Sequence, residues 1–209
     1  MAPHVDRLAI SVHPRTRDRM RDAVAAAGLT GDTGVLVPLA VPLLAGPSAA
    51  GDLHAVVRYV PWPRFVAALD AHVAQNLLER LADGRYGLTE PGHRFCAAVQ
   101  AALGAAATEQ WEPATEAVSG LLPLAHRLAA AGWETAGTAY ALIAGARDPR
   151  PATPAHLLLL RLTALRYHRA DAHAAAWAAA GLTAERVVGL PDGPSREPIE
   201  ADTDRRAAA

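Results

Sequence analysis

The sequence predicts a mainly α-helical protein, arranged as a helical bundle with a short β-hairpin. The first observation behind this prediction is that apolar residues recur at close to 3.6-residue spacing through most of the chain, as they do on the buried side of a helix. The second is the composition. Hydrophobic residues make up 51% and charged residues 20% of the 209 residues, which is enough apolar surface for a folded core.

Three helices are predicted in the N-terminal part of the chain. The first covers residues 15–27 and ends at Gly28, because glycine is the usual residue just beyond the end of a helix. Residues 35–44 are apolar and contain two prolines, which favours a broken buried helix over a strand. The third helix begins at residues 61–63 (Pro-Trp-Pro) and is expected to continue to Leu81, since its apolar residues keep helical spacing.

A winged-helix-like element is predicted at the end of that third helix. Residues 83–92 (DGRYGLTEPG) contain turn residues and a short extended piece, which indicates a β-hairpin. Thr89 then stands at the N-cap position of a helix over residues 90–106. A helix, a hairpin and a second helix in this order are typical of winged helix-turn-helix domains, and the Leu-Thr-x-x-Gly motif at residues 88–92 is common in them.

DNA binding is nevertheless disfavoured. In a winged-helix domain, the helix that ends at Leu81 would present Arg64 and Arg80 to DNA, but it also carries Asp70 and Glu79. The net charge of the chain is −1, whereas nucleic-acid-binding proteins usually have a basic excess because phosphate neutralisation dominates their affinity.

The C-terminal half is predicted to contain further helices around one long central helix. Helices are expected over residues 112–131 and 133–146, and the central helix from Pro154 to Ala180 has Thr153 as its N-cap and proline at its first position. The predicted regions are an N-terminal helical region with the winged-helix-like module (residues 1–106), a C-terminal helical region with the charged central helix (107–195) and a flexible tail (196–209).

A nine-residue segment of the central helix concentrates charge in apolar surroundings. The segment LRYHRADAH, residues 165–173, holds two arginines, two histidines and one aspartate between a leucine-rich and an alanine-rich run. Leucines occur on all sides of the preceding turns, which indicates a helix enclosed by others. A buried guanidinium is costly unless an anion or a hydrogen-bond network meets it. The segment therefore predicts either a functional site or a set of internal ion pairs.

The positions of these residues around the helix leave both alternatives open. At about 100° per residue, Arg166, Arg169 and His173 fall on one face. Two guanidinium groups on one face suit an oxyanion such as sulfate or phosphate. Alternatively, they pair with carboxylates of the first helix or with Glu109 and Glu116, and His173 is an ordinary core histidine. Asp171 lies on the opposite side, where it and His168 form either an orienting pair or a surface ion pair.

Several other classes of site and location are disfavoured by the sequence. The histidines are not spaced as metal ligands and carboxylates do not cluster, so no metal site is predicted. Cys96 is the one cysteine, so no intrachain disulfide is expected. The longest apolar tract, residues 35–45, is too short to span a bilayer, and no secretory signal is recognised. We therefore expect a cytoplasmic protein without a membrane segment.

Residues 147–182 resemble an actinobacterial family of helix-turn-helix-related proteins that occur in natural-product gene clusters. The family signature L-R-x-H-R-G-D-G-H is followed by an apolar helix and Gly-Leu. This chain has Ala170 and Ala172 in place of the two signature glycines, and its matching residues are Leu165, Arg166, His168, Arg169, Asp171 and His173. The family is in turn similar to the two-subunit enzymes that close an aziridine ring and expel sulfate.

The resemblance implies a subunit of a cofactor-free biosynthetic enzyme that acts on an anionic small molecule, in a lyase-like ring closure with sulfate elimination. It also implies a paralogous partner subunit or a homodimer. Such a reaction needs cations for the departing oxyanion and a base near the amine. The candidate anion-binding residues are Arg166, Tyr167 and Arg169, and the candidate catalytic residues are His168, Asp171 and His173. The alternatives are a winged-helix transcription regulator that senses a small molecule, and a non-catalytic partner subunit.

Overall fold

The computed structural model describes residues 34–190, 193 and 196–208, together with residues 7–9, 11, 12, 16, 19, 21, 24 and 25. Residues 34–190 and 196–208 form nine α-helices, two short 3-10 helices and one two-stranded antiparallel hairpin. The prediction of a mainly α-helical chain with a short hairpin is therefore confirmed. The helix predicted for residues 15–27 lies for the most part outside the described residues.

The helices and strands follow one another along the chain with short connections. They are α1 (Leu36–Ala45), α2 (Ala50–Val56), α3 (Trp62–Ala74), β1 (Leu78–Arg80), β2 (Tyr86–Leu88), α4 (Glu90–Trp111), a 3-10 helix (Glu112–Ala114), α5 (Thr115–Ala131), a second 3-10 helix (Gly132–Thr135), α6 (Thr138–Ala144), α7 (Pro154–Ala179), α8 (Ala184–Val188) and α9 (Glu197–Ala208).

Helix α7 lies at the centre of the fold, and α4, α5, α6 and α9 all pack against it. One core cluster joins α1, α2, α3, the hairpin, α6 and the first part of α4. A second cluster joins the last part of α4 to α5 and to the first half of α7. The predicted N-cap of α7 is confirmed, because the Thr153 hydroxyl accepts the His156 backbone N–H at 3.2 Å.

The prediction that the third helix continues to Leu81 is wrong. Helix α3 ends at Ala74, and Asn76 adopts a left-handed conformation with φ of 57°. The Leu77 N–H then donates to the His72 carbonyl and the Asn76 N–H to the Val73 carbonyl, both at 2.9 Å, which is the hydrogen-bond pattern of a Schellman motif. The residues that follow form β1, which pairs with β2.

The hairpin and helix α4 are joined by a tight connection. Thr89 accepts the Gly92 backbone N–H at 3.2 Å, so its predicted N-cap role is confirmed. A Cβ atom at Gly92 would lie 1.9 Å from the Leu77 carbonyl oxygen, so only glycine allows this approach. The order of helix, hairpin and helix agrees with the predicted element, and its identity as a winged helix stays a prediction. Arg80 lies on β1, where it binds Asp70 and the Tyr86 hydroxyl.

In place of the flexible tail predicted for residues 196–209, residues 197–208 form helix α9. Ile199 and Thr203 of α9 are buried, and the helix packs along α7.

Helix α4 also extends to Trp111, so the predicted boundary at residue 106 falls within a continuous helix. No helix in the part of the chain that the structure describes combines the length and the apolar character that a membrane crossing needs.

Candidate functional site

The six predicted site residues lie within two turns of α7, between Arg166 and His173, but the structure gives them separate surroundings. Arg169 and His173 face α9. Arg169 donates to Glu200 at 2.9 Å and to Asp204 at 3.1 Å, and these carboxylates stand four residues apart on one face of α9. The guanidinium of Arg169 therefore has two internal counter-ions, and its predicted binding of a substrate anion stays a prediction without support from these contacts.

His173 is held against α9 by a hydrogen bond to Thr203. The Thr203 hydroxyl donates to the Ile199 carbonyl at 2.7 Å, so Nδ1 of His173, 3.0 Å from that hydroxyl, is the donor to it. Burial lowers the pKa of His173 below its ordinary value of 6.5; the Glu200 carboxylate opposes this shift, and nearby guanidinium groups add to it. Its neutral form is therefore favoured at pH 7, with Nδ1 protonated.

Asp171 binds residues on the opposite side of α7. Its Oδ1 accepts from Arg58, which also donates to the Ala170 carbonyl at 2.9 Å, and its Oδ2 accepts the Tyr140 backbone N–H at 2.8 Å. The second contact satisfies an N–H in the first turn of α6 that has no partner within the helix. A Cβ atom at Gly137 would lie 2.5 Å from Asp171 side-chain atoms, so glycine is needed for this approach.

His168 does not pair with Asp171, so neither of the two predicted alternatives, an orienting pair or a surface ion pair, is formed. Its Nε2 lies 2.9 Å from the Thr135 hydroxyl, and its ring packs edge-on against Tyr140 at 5.2 Å between centroids. Tyr167 packs at the margin of the first core cluster, and burial raises the pKa of its phenol. Arg166 is partly buried beside it. The predicted residues are thus divided between an α9 side and an α6 side, and the predicted site does not form one constellation.

A large cavity lies at the other end of α7, and sequence reasoning missed it. We call it the α4–α7 cavity; its volume is about 1320 Å³, and it is bounded by α1, α4, α6, the segment 145–151 and the first turns of α7. Its apolar lining includes Val41, Leu44, Ile143 and Leu160. None of the six predicted site residues lines it.

Two buried polar side chains belong to the wall of this cavity. Gln100 of α4 is 6% exposed and His156 of α7 is 5% exposed. The Nε2 atoms of both are shielded from solvent and have no hydrogen-bond partner among the described residues. Burial lowers the pKa of His156, and the carboxylate of Asp148 opposes that shift. His156 is therefore neutral at pH 7.

The position of His156 is fixed by contacts between α4 and the start of α7. A Cβ atom at Gly104 would lie 2.4 Å from Nδ1 of His156, so the ring occupies space that only glycine leaves open. The Thr108 hydroxyl donates to the Gly104 carbonyl at 2.8 Å and lies 2.8 Å from the Thr153 hydroxyl. Gln100 precedes Gly104 by one helical turn, so it lies on the same face of α4 as the glycine against which the His156 ring of α7 packs.

The sequence contains only a weak signal of this cavity. Gly104 interrupts an alanine-rich helix, and glycine within a helix that has no bend often marks a close approach of another element. The partner that approaches, His156, is 52 residues away, and no local pattern connects the two. The described residues include no group of three or more His, Cys, Asp or Glu that could hold a metal ion.

The chain matches no protein-family model, no curated protein and no solved structure. The resemblance to the actinobacterial family therefore stays a prediction, and the proposals below are based on the geometry of the chain itself.

Proposed function

We propose that this protein binds a small organic molecule in the α4–α7 cavity. The observation that carries the proposal is a cavity of about 1320 Å³ whose wall combines apolar side chains with two buried, unsatisfied polar ones. Binding sites for small molecules are typically concave and mostly apolar, with a few polar groups that orient the ligand. The α4–α7 cavity has each of these properties.

The polar side chains of the wall indicate a ligand-binding site rather than an empty space left by packing. A buried polar group without a partner costs about 1–3 kcal/mol, and native proteins retain few of them. Gln100 offers an N–H donor, and neutral His156 offers either a donor or an acceptor at Nε2. Because both nitrogens are shielded from solvent, a ligand would reach them only if the Gln100 or His156 side chain turned toward the cavity, and it would then recover part of that cost. The apolar side chains around them would bury the rest of the ligand.

The proposal keeps the biosynthetic role that the resemblance implies. The bound molecule would then be a substrate or product of that biosynthesis. Its predicted catalytic residues on α7 are not transferred to the cavity. Asp171 and Arg169 already bind internal partners, and all six predicted residues lie away from the cavity lining. The predicted partner subunit or homodimer is tested by measuring the mass of the protein in solution, where a monomer has 21.8 kDa.

The test of the proposal is binding of a neutral apolar fluorophore, N-phenyl-1-naphthylamine, to the full chain. The protein is expected to bind it with a blue-shifted emission, because the apolar side chains of the cavity wall shield part of the probe from water. Ala101 lines the cavity from α4 and its side chain is exposed, so Ala101→Trp fills cavity space without entering the core. This variant is expected to weaken binding at least about tenfold, since the indole occupies the volume that the probe needs.

The matched control is Ala175→Trp, which adds the same side chain at an exposed position of α7 outside the cavity. It is expected to bind the probe as the parent does, and both variants should keep the helical circular-dichroism spectrum. The proposal is refuted if the parent does not bind the probe, or if the two tryptophan variants bind it equally well.

A further inference from the structure

The mouth of the α4–α7 cavity carries two arginines without carboxylate partners. Arg147 and Arg150 lie in the segment between α6 and α7, line the cavity and are exposed to solvent. Neither forms an ion pair or hydrogen bond with any residue that the structure describes. They stand three residues apart in the chain, and both belong to the cavity lining.

The other two arginines among the described lining residues have carboxylate partners. Arg161 binds both oxygens of Asp148, at 2.6 and 2.8 Å, and Arg19 binds Glu109 at 2.8 Å. The contrast matters because a paired guanidinium has donors occupied and its charge compensated, whereas Arg147 and Arg150 keep both available. Arg19 and Arg161 thus have a structural role, whereas Arg147 and Arg150 have donors available for a ligand.

The charges of the described lining residues also favour an anion. Among these residues, four arginines stand against three carboxylates, which leaves one positive charge in excess when His156 is neutral. The lining cations are Arg19, Arg147, Arg150 and Arg161, and the lining anions are Glu109, Glu112 and Asp148. Glu112 is exposed and has no ion pair among the described residues, so among the described lining residues it is the group that would oppose an anionic ligand.

The interior of the cavity has a different character from its mouth. Val41 and Leu44 of α1, Ile143 of α6 and Leu160 of α7 give it apolar surface. A ligand that uses both parts must have an apolar body and one acidic end. A guanidinium binds a carboxylate through two parallel N–H donors, and two such groups at an open mouth can hold it without removing it from water completely.

We propose that the ligand of the α4–α7 cavity is an amphipathic organic acid, whose apolar body fills the cavity and whose acidic group binds Arg147 and Arg150. This inference rests on the proposed function, because it assigns a ligand class to the same cavity. It adds a direction of binding, with the acidic group toward solvent and the body toward Ile143 and Leu160. It also separates the ligand's anion site from the charged segment of α7.

The experiment compares decanoate with 1-decanol as competitors for N-phenyl-1-naphthylamine bound to the full chain, both below their aggregation concentrations. The two molecules share the same alkyl chain and differ in the charged end. In low salt, decanoate is expected to displace the probe at about three- to tenfold lower concentration than decanol, since exposed ion pairs contribute modestly and are screened by salt. Arg147→Gln combined with Arg150→Gln is expected to abolish this difference.

The matched control is Arg127→Gln, which removes an exposed arginine of α5 outside the cavity lining and should leave the preference unchanged. If the parent binds the probe but decanol competes as well as decanoate, the ligand class is wrong while the proposed function stands. If the preference survives in the double variant, the two arginines do not hold the acid. If the parent does not bind the probe at all, the proposed function itself fails.

Discussion

The ion pair between Arg58 and Asp171 provides the sharpest test of how the charged segment of α7 acts. Both side chains are nearly enclosed, with 11% and 12% of their surface exposed. Asp171→Ala would leave the guanidinium of Arg58 buried without its counter-ion and the Tyr140 N–H without its acceptor. Breaking a buried pair in this way typically costs about 3–5 kcal/mol. Arg58 keeps two backbone carbonyl contacts, at Ala55 and Ala170, which favours the lower end of that range.

We therefore expect Asp171→Ala to lower the free energy of unfolding by about 3 kcal/mol. For a chain of this size the melting temperature should then fall by roughly 6–12 °C. The measurement is chemical and thermal unfolding followed by circular dichroism. The matched control is Asp70→Ala, which breaks the pair with Arg80, where both side chains are more than half exposed. It should cost less than about 1 kcal/mol.

A double variant distinguishes loss of the pair from loss of packing. Arg58→Met combined with Asp171→Leu removes both charges and keeps comparable side-chain volume. Replacing a buried pair by apolar residues is often close to neutral, so the double variant should be more stable than Asp171→Ala alone. The reasoning is refuted if Asp171→Ala and Asp70→Ala are equally stable. In that case Asp171 would be dispensable for the fold, and its predicted catalytic role would regain weight.

Two further predictions concern the contact between α7 and α9. Arg169→Ala should lower the free energy of unfolding by only about 1 kcal/mol, because its carboxylate partners are partly exposed. It should also accelerate proteolytic cleavage near α9. A loss of stability as large as that of Asp171→Ala would contradict this prediction. Burial lowers the pKa of His173 below its ordinary value of 6.5, so the unfolded chain binds the proton more readily, and stability should fall as the pH drops below about 6.5 and level off below the folded-state pKa. The difference in unfolding free energy between the parent and His173→Asn should therefore shrink on acidification, and a pH-independent difference would show that the proton is not involved.

Local signals in the sequence account for the elements that were predicted correctly. Thr89 and Thr153 each precede a proline within the first helical turns and accept a backbone N–H three residues on, so each cap is determined within a few residues. The proline-containing segment 35–44 is helical and buried as predicted, because its apolar side chains pack into the core on several sides, but the helix continues through Pro42 and is not broken. In both cases the deciding interaction is local or follows from hydrophobicity alone.

The end of α3 shows where periodicity misleads. Val73, Leu77 and Leu81 keep a spacing of four residues, which a helix would also produce. The chain instead turns at Asn76, and the buried residues Leu77 and Leu78 enter the core from a left-handed turn and a strand. Asparagine tolerates the left-handed conformation better than most residues, so a helix could end there, but apolar spacing gave no indication that it did.

The structure differs from the sequence-based predictions in the carboxylates that pair with Arg169 and in the helical state of residues 197–208. Both differences have the same origin. The sequence suggests carboxylate partners for Arg169 in the first helix or at Glu109 and Glu116, and it predicts a flexible tail for residues 196–209. Glu200 and Asp204 belong to that segment, which has few apolar residues and so gave little reason to expect a packed helix. Once α9 packs on α7 through Ile199 and Thr203, its carboxylates reach Arg169 without further adjustment. The polar helix α9 and the partly buried guanidinium of Arg169 thus stabilise each other, and the contacts of each depend on the other. Arginines that already pair with carboxylates of the fold are poor candidates for binding a ligand anion. Arg147 and Arg150 have no such partner among the described residues, so we expect the anion to bind there.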